Sequence, residues 1–191
     1  MRAAMIVLAA CWLAYWILLV LQYVSAERLR RREGEASQRR SDRRSMVGMS
    51  LEFVAFAIAF GFRRGPMEPA PVVLLWLAVL LAPLAVAMGA LAARSLGQDF
   101  RAQAVVTEGH QLVTNGPYRV VRHPIYASLL GLLLATGITI TQWPALLASL
   151  AIFLVGTEIR VRVEDALLGA RFGAEFEAYR NRTAAYIPFV R

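Results

Sequence analysis

Apolar residues run along this chain in blocks separated by short polar breaks, and the blocks set the list of elements. Ala3 to Val24 carries no formal charge and has Trp12, Tyr15, Trp16 and Tyr23 along it, the pattern of a membrane span with interfacial aromatics. Arginines follow it with no small-residue cleavage pattern, so it reads as a retained span rather than a signal peptide. From Ser25 to Ser45 the apolar periodicity is lost. Met46 to Phe62 forms a shorter second span that includes Glu52. A carboxylate inside a span costs about 3 kcal/mol unless it faces the bundle or lies near an end. Glu52 therefore reads as the partner of a polar group on another helix, with a substrate or proton role as the alternative.

Arg63 to Pro69 is a loop, and Ala70 to Ala93 is an uncharged span containing Pro83. Its Ala85, Gly89 and Ala93 give a small-residue face for close packing. Arg94 to Val106 mixes polar and apolar residues and predicts a helical continuation into water. Ile125 to Thr141 and Ala145 to Gly156 are separated only by Gln142-Trp143-Pro144, which predicts a helical hairpin. From Thr157 onward, Val161, Leu168, Phe172, Phe176 and Tyr179 recur among charges as on an amphipathic helix, and a terminal segment with Pro188 follows. The reading is an all-α polytopic membrane protein with about five transmembrane helices. It forms one membrane domain over residues 1–191: a three-helix part, 1–93, and a part, 94–191, that carries the hairpin 125–156.

Composition agrees with that class. Apolar residues make up 58% of the 191 positions, above the half or so of soluble domains, and the mean hydropathy is +0.52. The formal net charge is +8, and all 21 basic residues are arginine. A nucleic-acid reading is rejected because the arginines cluster at the ends of apolar blocks and make no basic face on a soluble domain. Membrane lipids with anionic headgroups are the expected partner. The richest cluster, Arg28, Arg30, Arg31, Arg32, Arg39, Arg40, Arg43 and Arg44 against Glu27, Glu33, Glu35 and Asp42, assigns Ser25 to Ser45 to the cytoplasm. Residues 94–124 and 157–191 then face the cytoplasm too, as in a bacterial inner-membrane protein. Arg63 and Arg64 count against that orientation, which leaves them outside. Cys11 is the sole cysteine and there are two histidines, so neither an internal disulfide nor a Cys/His zinc site is expected.

The candidate chemistry gathers in Gly109 to Tyr126, GHQLVTNGPYRVVRHPIY, which holds both histidines, His110 and His123. Turn signals at Asn115-Gly116-Pro117 and His123-Pro124 divide it into an extended piece, a basic piece and the start of an apolar helix at about Ile125, with proline at a first helical position. It reads as a polar loop folded onto the mouth of a span.

HQLVT with GPYRVVRHPIY, followed by Glu164-x-x-Leu167-x-x-x-Arg171-Phe172-Gly173-x-x-Phe176-x-x-Tyr179, resembles the isoprenylcysteine carboxyl methyltransferase family and its phospholipid N-methyltransferase relatives. The resemblance covers roughly residues 94 to 191. It implies a small integral membrane enzyme that moves a methyl group from S-adenosylmethionine to a lipophilic acceptor (an isoprenylcysteine-like carboxylate, a thiol or a lipid amine) at the cytosolic face. It also implies a cofactor pocket made by the 94–126 loop region and the C-terminal helix. This chain has no Gly-x-Gly-x-x-Gly after a strand, so such a pocket has to come from loops and helix ends. The cofactor contacts implied are Gln103, His110, Gln111, Leu112, Val113, Tyr118, His123, Pro124, Ile125, Tyr126 and Glu164, with Arg160 positioning the acceptor and no metal.

Outside that resemblance His110 reads as a solvated loop residue, His123 and Tyr126 as an interfacial cap, and Arg160 with Glu164 as an i,i+4 ion pair. Arg162 and Asp165 are expected on the solvated side, and Phe172, Phe176 and Tyr179 in packing. Two departures from the family bear on the acceptor. Eukaryotic members have additional N-terminal spans, and Ala127-Ser128 stand where a glycine is usual, which could alter the shape near the methyl group. A lipid-modifying NADPH-dependent reductase of the steroid-reductase type, and a non-catalytic membrane scaffold, are the competing readings.

Overall fold

The structure, a computed structural model, describes residues 2–32, 43–65, 70–97 and 112–188. Among them six α-helices follow in order: α1 (Arg2–Arg32), α2 (Arg43–Gly61), α3 (Val72–Leu96), α4 (Pro124–Ile140), α5 (Trp143–Phe172) and α6 (Ala174–Arg182). Four of them, α1, α2, α3 and α5, are long and apolar enough to cross a membrane, and α4 is a shorter apolar helix of 17 residues. The chain is an all-α polytopic integral membrane protein. Large apolar side chains such as Trp76, Leu80, Leu84 and Leu147 point outward, each more than 60% exposed, as lipid-facing residues do.

Helix boundaries differ from the sequence expectations in three places. α1 runs on through Glu27 and Arg28 to Arg32, because Ala, Glu, Leu and Arg are strong helix formers whether or not they are buried. Its 31 residues span about 46 Å, well beyond a hydrocarbon core of about 30 Å. α3 breaks at Gly97, inside the stretch expected to continue it: Gly97 turns to φ 53° and its N–H caps the carbonyls of Ala93 and Arg94, and the rest of that stretch, 98–106, lies outside the described residues. The span expected over Ala145–Gly156 and the amphipathic helix expected from Thr157 are one helix, α5. Gly156 costs a helix only about 1 kcal/mol, and no proline or turn residue divides the two parts.

Small residues set how the helices meet. Ala78, Ala82, Ala85, Gly89 and Ala93 form the buried face of α3, and with Leu8, Cys11 and Tyr15 of α1 and Leu132, Ala135 and Ile138 of α4, the first three of these alanines make the largest apolar cluster. A Cβ on Gly89 would lie 2.6 Å from the Tyr15 ring and 2.9 Å from Ser128 Oγ. The Tyr15 hydroxyl instead hydrogen-bonds Ser128 Oγ at 2.8 Å, so Ser128 is engaged with α1. α4 and α5 are joined by Thr141 and Gln142 alone, and Leu146 packs where Gly137 lacks a side chain, as expected of a hairpin.

At that hairpin's tip the loop after α2 is stitched on. Arg64 N–H donates to Ile140 O at 2.7 Å, Gln142 N–H to Phe62 O at 3.0 Å, and Thr141 Oγ1 to Ala59 O at 2.6 Å. The Arg64 guanidinium bonds Thr141 O at 2.7 Å and Ile138 O at 3.3 Å, and lies 4.1 Å from the centre of the Trp143 ring. The other end of the hairpin, where α4 begins and α5 leaves its apolar part, carries the motif residues.

Candidate active site

The motif loop is shaped by its turn residues and pinned by the far C-terminus. Gly116 has φ 58°, a left-handed value that disfavours other residues, and a Cβ there would press on Ser95 Oγ of α3 at 2.9 Å. Tyr118 N–H bonds Asn115 O at 3.1 Å, opening a short 3₁₀ turn over Gly116–Arg119. Beyond α6 the chain comes back beside this loop: Val121 and Ala184 form a parallel bridge, Arg122 N–H bonds Ala184 O at 2.8 Å, and His123 N–H bonds Ala185 O at 2.7 Å. The Tyr179 hydroxyl donates to Tyr118 O at 2.6 Å. His123 is then the N-cap residue of α4, with Pro124 in the first turn, where its missing N–H has no intrahelical partner.

These constraints aim the α4 start at α5. His123 Nε2 lies 2.9 Å from Asp165 Oδ1 and Nδ1 lies 3.2 Å from Glu164 Oε2, so the ring sits between two carboxylates. The Tyr126 hydroxyl donates to the other Glu164 oxygen, and the Tyr126 ring stacks on the imidazole with centroids 5.7 Å apart. Asp165 Oδ2 accepts from Arg122 at 3.0 Å, and that guanidinium also bonds the carbonyls of Arg180 and Thr183. One turn earlier on α5, Arg160 places its guanidinium carbon 4.8 Å from the centre of the Tyr126 ring and pairs with Glu52 of α2 at 2.8 Å.

Charge explains the imidazole's state. Burial alone pushes the His123 pKa down, but hydrogen bonds to Asp165 and Glu164, together with their charges, outweigh it and raise the value to about 8. Both ring nitrogens therefore donate at neutral pH. The Tyr118 phenol is held well above its ordinary range, first by burial and then by the negative charge of Glu164. The site is a compact, half-dry patch of acids, cations and phenols that can hold a polar, charged small molecule in a fixed orientation.

Of the residues singled out in the sequence, Tyr118, His123, Pro124, Tyr126, Arg160 and Glu164 come together, and all but Glu164 are buried. Leu112, Val113 and Ile125 are half-buried on the same stretch. Gln103, His110 and Gln111 lie outside the described residues. Asp165, expected on the solvated side, instead holds His123 and Arg122, while Arg162 is exposed as expected and pairs with Glu158. Consecutive residues on a helix diverge by about 100°, yet a ring inserted between them reaches both carboxylates. The roles of Arg122 and of the strand-like return of Thr183 to Ala185 went unforeseen: Arg122 stands inside the GPYRVVRHPIY motif but was given no contact, and the return has no periodic or motif signal. Tyr179 is more than packing, since its hydroxyl holds the loop backbone. Glu52 does partner a polar group on another helix. Among the described residues no three His, Cys, Asp or Glu side chains are arranged to hold a metal ion.

The model of the isoprenylcysteine carboxyl methyltransferase (ICMT) family matches residues 76–170. Among curated proteins, the chain is 37% identical over 82 residues to a cobalt-zinc-cadmium resistance protein of Cupriavidus metallidurans, covering 42% of this chain and 37% of that one. It is 28% identical over 109 residues to a probable protein-S-isoprenylcysteine O-methyltransferase of Oryza sativa, 50% of this chain and 57% of that one. The protein-S-isoprenylcysteine O-methyltransferase of Schizosaccharomyces pombe is 32% identical over 110 residues, 50% of this chain and 46% of its own length. The matches thus span between about a third and just over half of these relatives. The matched segment carries the His123–Glu164–Asp165 cluster, Tyr126 and Arg160 on two helices of a membrane bundle, and the chain belongs to the isoprenylcysteine carboxyl methyltransferase family.

Proposed function

We propose that this protein is an S-adenosylmethionine-dependent methyltransferase acting on a lipophilic acceptor with a polar head, such as an isoprenylcysteine-like carboxylate, at the cytosolic face of a bacterial inner membrane. The observation that carries the reading is the meeting of Glu164 with His123 and Tyr126 at the start of α4, one helical turn from Arg160.

The residues present suit such a donor. Glu164 offers a charged acceptor to an ammonium or hydroxyl group, Tyr118 and Tyr126 offer aromatic faces, and Leu112, Val113, Pro124 and Ile125 line the same stretch with apolar surface. Gln103, His110 and Gln111 belong to this set by the family pattern. When bound, S-adenosylmethionine supplies a methyl group on a sulfonium, a displacement that asks the protein mainly for alignment and dryness. His123, charged and fixed by Asp165, holds the Glu164 carboxylate in place, and Tyr126 holds its second oxygen. Arg160 is the cation at the membrane boundary, where the head of an acceptor with a buried tail lies, and a guanidinium fork can orient a carboxylate there.

Orientation follows from the arginines. With Ser25 to Ser45 cytoplasmic, residues 94–124 and 157–191 face the same side. Arg64, which otherwise opposes this assignment, is consumed by the carbonyls of the hairpin tip and the Trp143 ring, and so weighs less in the charge rule. Single cysteines at Ser37 and Ser95 in a Cys11→Ser background should be shielded from an impermeant maleimide in right-side-out vesicles; labelling of both reverses the assignment. The activity itself is tested with purified protein: tritiated S-adenosylmethionine should bind and N-acetyl-S-farnesylcysteine should be methylated, whereas NADPH should not bind. NADPH binding in place of the methyl donor supports the reductase reading.

A further inference from the structure

Glu52 lies on α2, outside the residues 76–170 that match the family, and is 4% exposed. Both its oxygens turn to α5: Oε1 accepts the Thr157 hydroxyl at 3.0 Å and Oε2 takes Arg160 Nη1 at 2.8 Å. A reciprocal glycine contact brings the helices this close. A Cβ on Gly48 would lie 2.6 Å from both Gly156 O and Arg160 Cγ, and one on Gly156 would lie 2.6 Å from Gly48 O. The stem of Arg160 therefore passes over Gly48 to reach a carboxylate one turn further along α2. The Tyr126 ring holds the same guanidinium from a second direction.

Stability does not account for such a pair, since desolvation costs each ion several kcal/mol and apolar residues of similar volume often do as well. What apolar residues could not do is fix a planar, permanently charged fork in one orientation. Glu164 is the competing carboxylate: it is four residues on along the same helix, and its charge already acts on Arg160. Were Arg160 to turn to it, the carboxylate shared by His123 and Tyr126 would be drawn away.

We propose that Glu52 is a positioning residue: it keeps Arg160 over Tyr126 and away from Glu164, so that the guanidinium serves the acceptor while Glu164 serves the donor. The assignment of roles rests on the methyl-transfer reading; the division of partners does not. The groups that act on His123 are Glu164 and Asp165 directly, with Arg122, Tyr126 and Arg160 beyond them, so the His123 titration reports where Arg160 has gone.

Wild type, Glu52→Gln, Arg160→Gln and the double variant are compared in lipid nanodiscs. His123 is titrated by NMR; with two histidines in the chain, His110→Gln assigns the resonances. In Glu52→Gln the His123 midpoint should fall from about 8 by roughly one unit as Arg160 neutralises Glu164. The kcat/KM for N-acetyl-S-farnesylcysteine should fall by about one to two orders of magnitude, with no further loss when the change is added to Arg160→Gln. The double variant removes both charges of the buried Glu52–Arg160 pair together, so it remains a folded test if Glu52→Gln alone does not fold, and its His123 midpoint should return to the wild-type value or above. An unchanged midpoint in Glu52→Gln, a midpoint still depressed in the double variant, or kinetic losses that simply add, overturns the proposal. A wild type that folds, titrates as described and transfers no methyl group to the probe refutes the methyl-transfer reading, and leaves the His123 titration to decide the role of Glu52.

Discussion

The two ends of the α4–α5 hairpin both hold buried or half-buried arginines, and they hold them in different ways. At the tip, Arg64 is met by the carbonyls of Ile138 and Thr141 and by the Trp143 ring. Those carbonyls are the open end of α4, where the helix dipole favours a cation, so the guanidinium finishes a helix and joins a loop to it. At the other end, about 25 Å away along α4, Arg122 and Arg160 are met by Asp165 and Glu52, with His123 and Glu164 between them. Backbone carbonyls are always present at a helix end and ask nothing of the side chains around them. Carboxylates buried near a membrane boundary are costly and persist where charge is used. Among the described residues, partner type, more than the count of arginines, separates the structural end from the chemical one.

The sharpest break in that comparison is Glu164→Gln. The amide loses its charge-assisted bonds to His123 and Tyr126, and donor affinity measured by calorimetry in detergent should fall about ten- to hundredfold, since such a bond contributes about 1.5–3 kcal/mol. An affinity within twofold of wild type removes Glu164 from the donor site. Arg160→Lys comes next: the charge stays and the fork is lost, so donor affinity should hold while kcat/KM for the acceptor falls about tenfold or more. Loss of donor binding with turnover per bound donor unchanged would assign Arg160 to the donor instead.

A smaller effect is expected from pH. The His123 pKa is about 8 in the fold, against an ordinary 6.5. A raised value means stability that is fully present below pH 6.5 and is lost as pH rises through about 8, a loss of order 1–2 kcal/mol. The Tm should therefore drop between pH 7 and 9 in wild type and stay flatter in His123→Gln; equal slopes would mean that the imidazole is not charged in the fold. At the tip, Arg64→Ala should lower the Tm by the equivalent of about 1–3 kcal/mol with kcat/KM intact. A comparable loss of kcat/KM at matched stability would mean that the two ends are coupled and the contrast between them false.

Much of the fold was legible because lipid as a solvent enforces a simple rule: a span must be long, apolar and helical to satisfy its backbone. The small face of α3, the α4–α5 hairpin and the proline start of α4 followed from local composition. Helix ends were less legible, as in the extension of α1 to Arg32 and the single long α5, because an arginine-rich stretch continues a helix as readily as it ends a span. At the site, Tyr118, His123, Tyr126, Arg160 and Glu164 announced themselves through one motif and one helical spacing. Asp165 did not, since its role depends on a ring placed between it and its neighbour.

By itself, then, the sequence determined the class, the helices and the stretch that carries the chemistry, since these depend on short-range pattern and on how many polar groups a bilayer tolerates. Only the tertiary structure decided which acid meets which base. Glu52 reaches Arg160 because two glycines let α2 and α5 touch, and Arg122 and His123 are aimed because Ala184 and Ala185 return beside them. Such pairings join positions 40 to 110 residues apart, and no local pattern records a contact that exists only once two helices have closed to backbone distance.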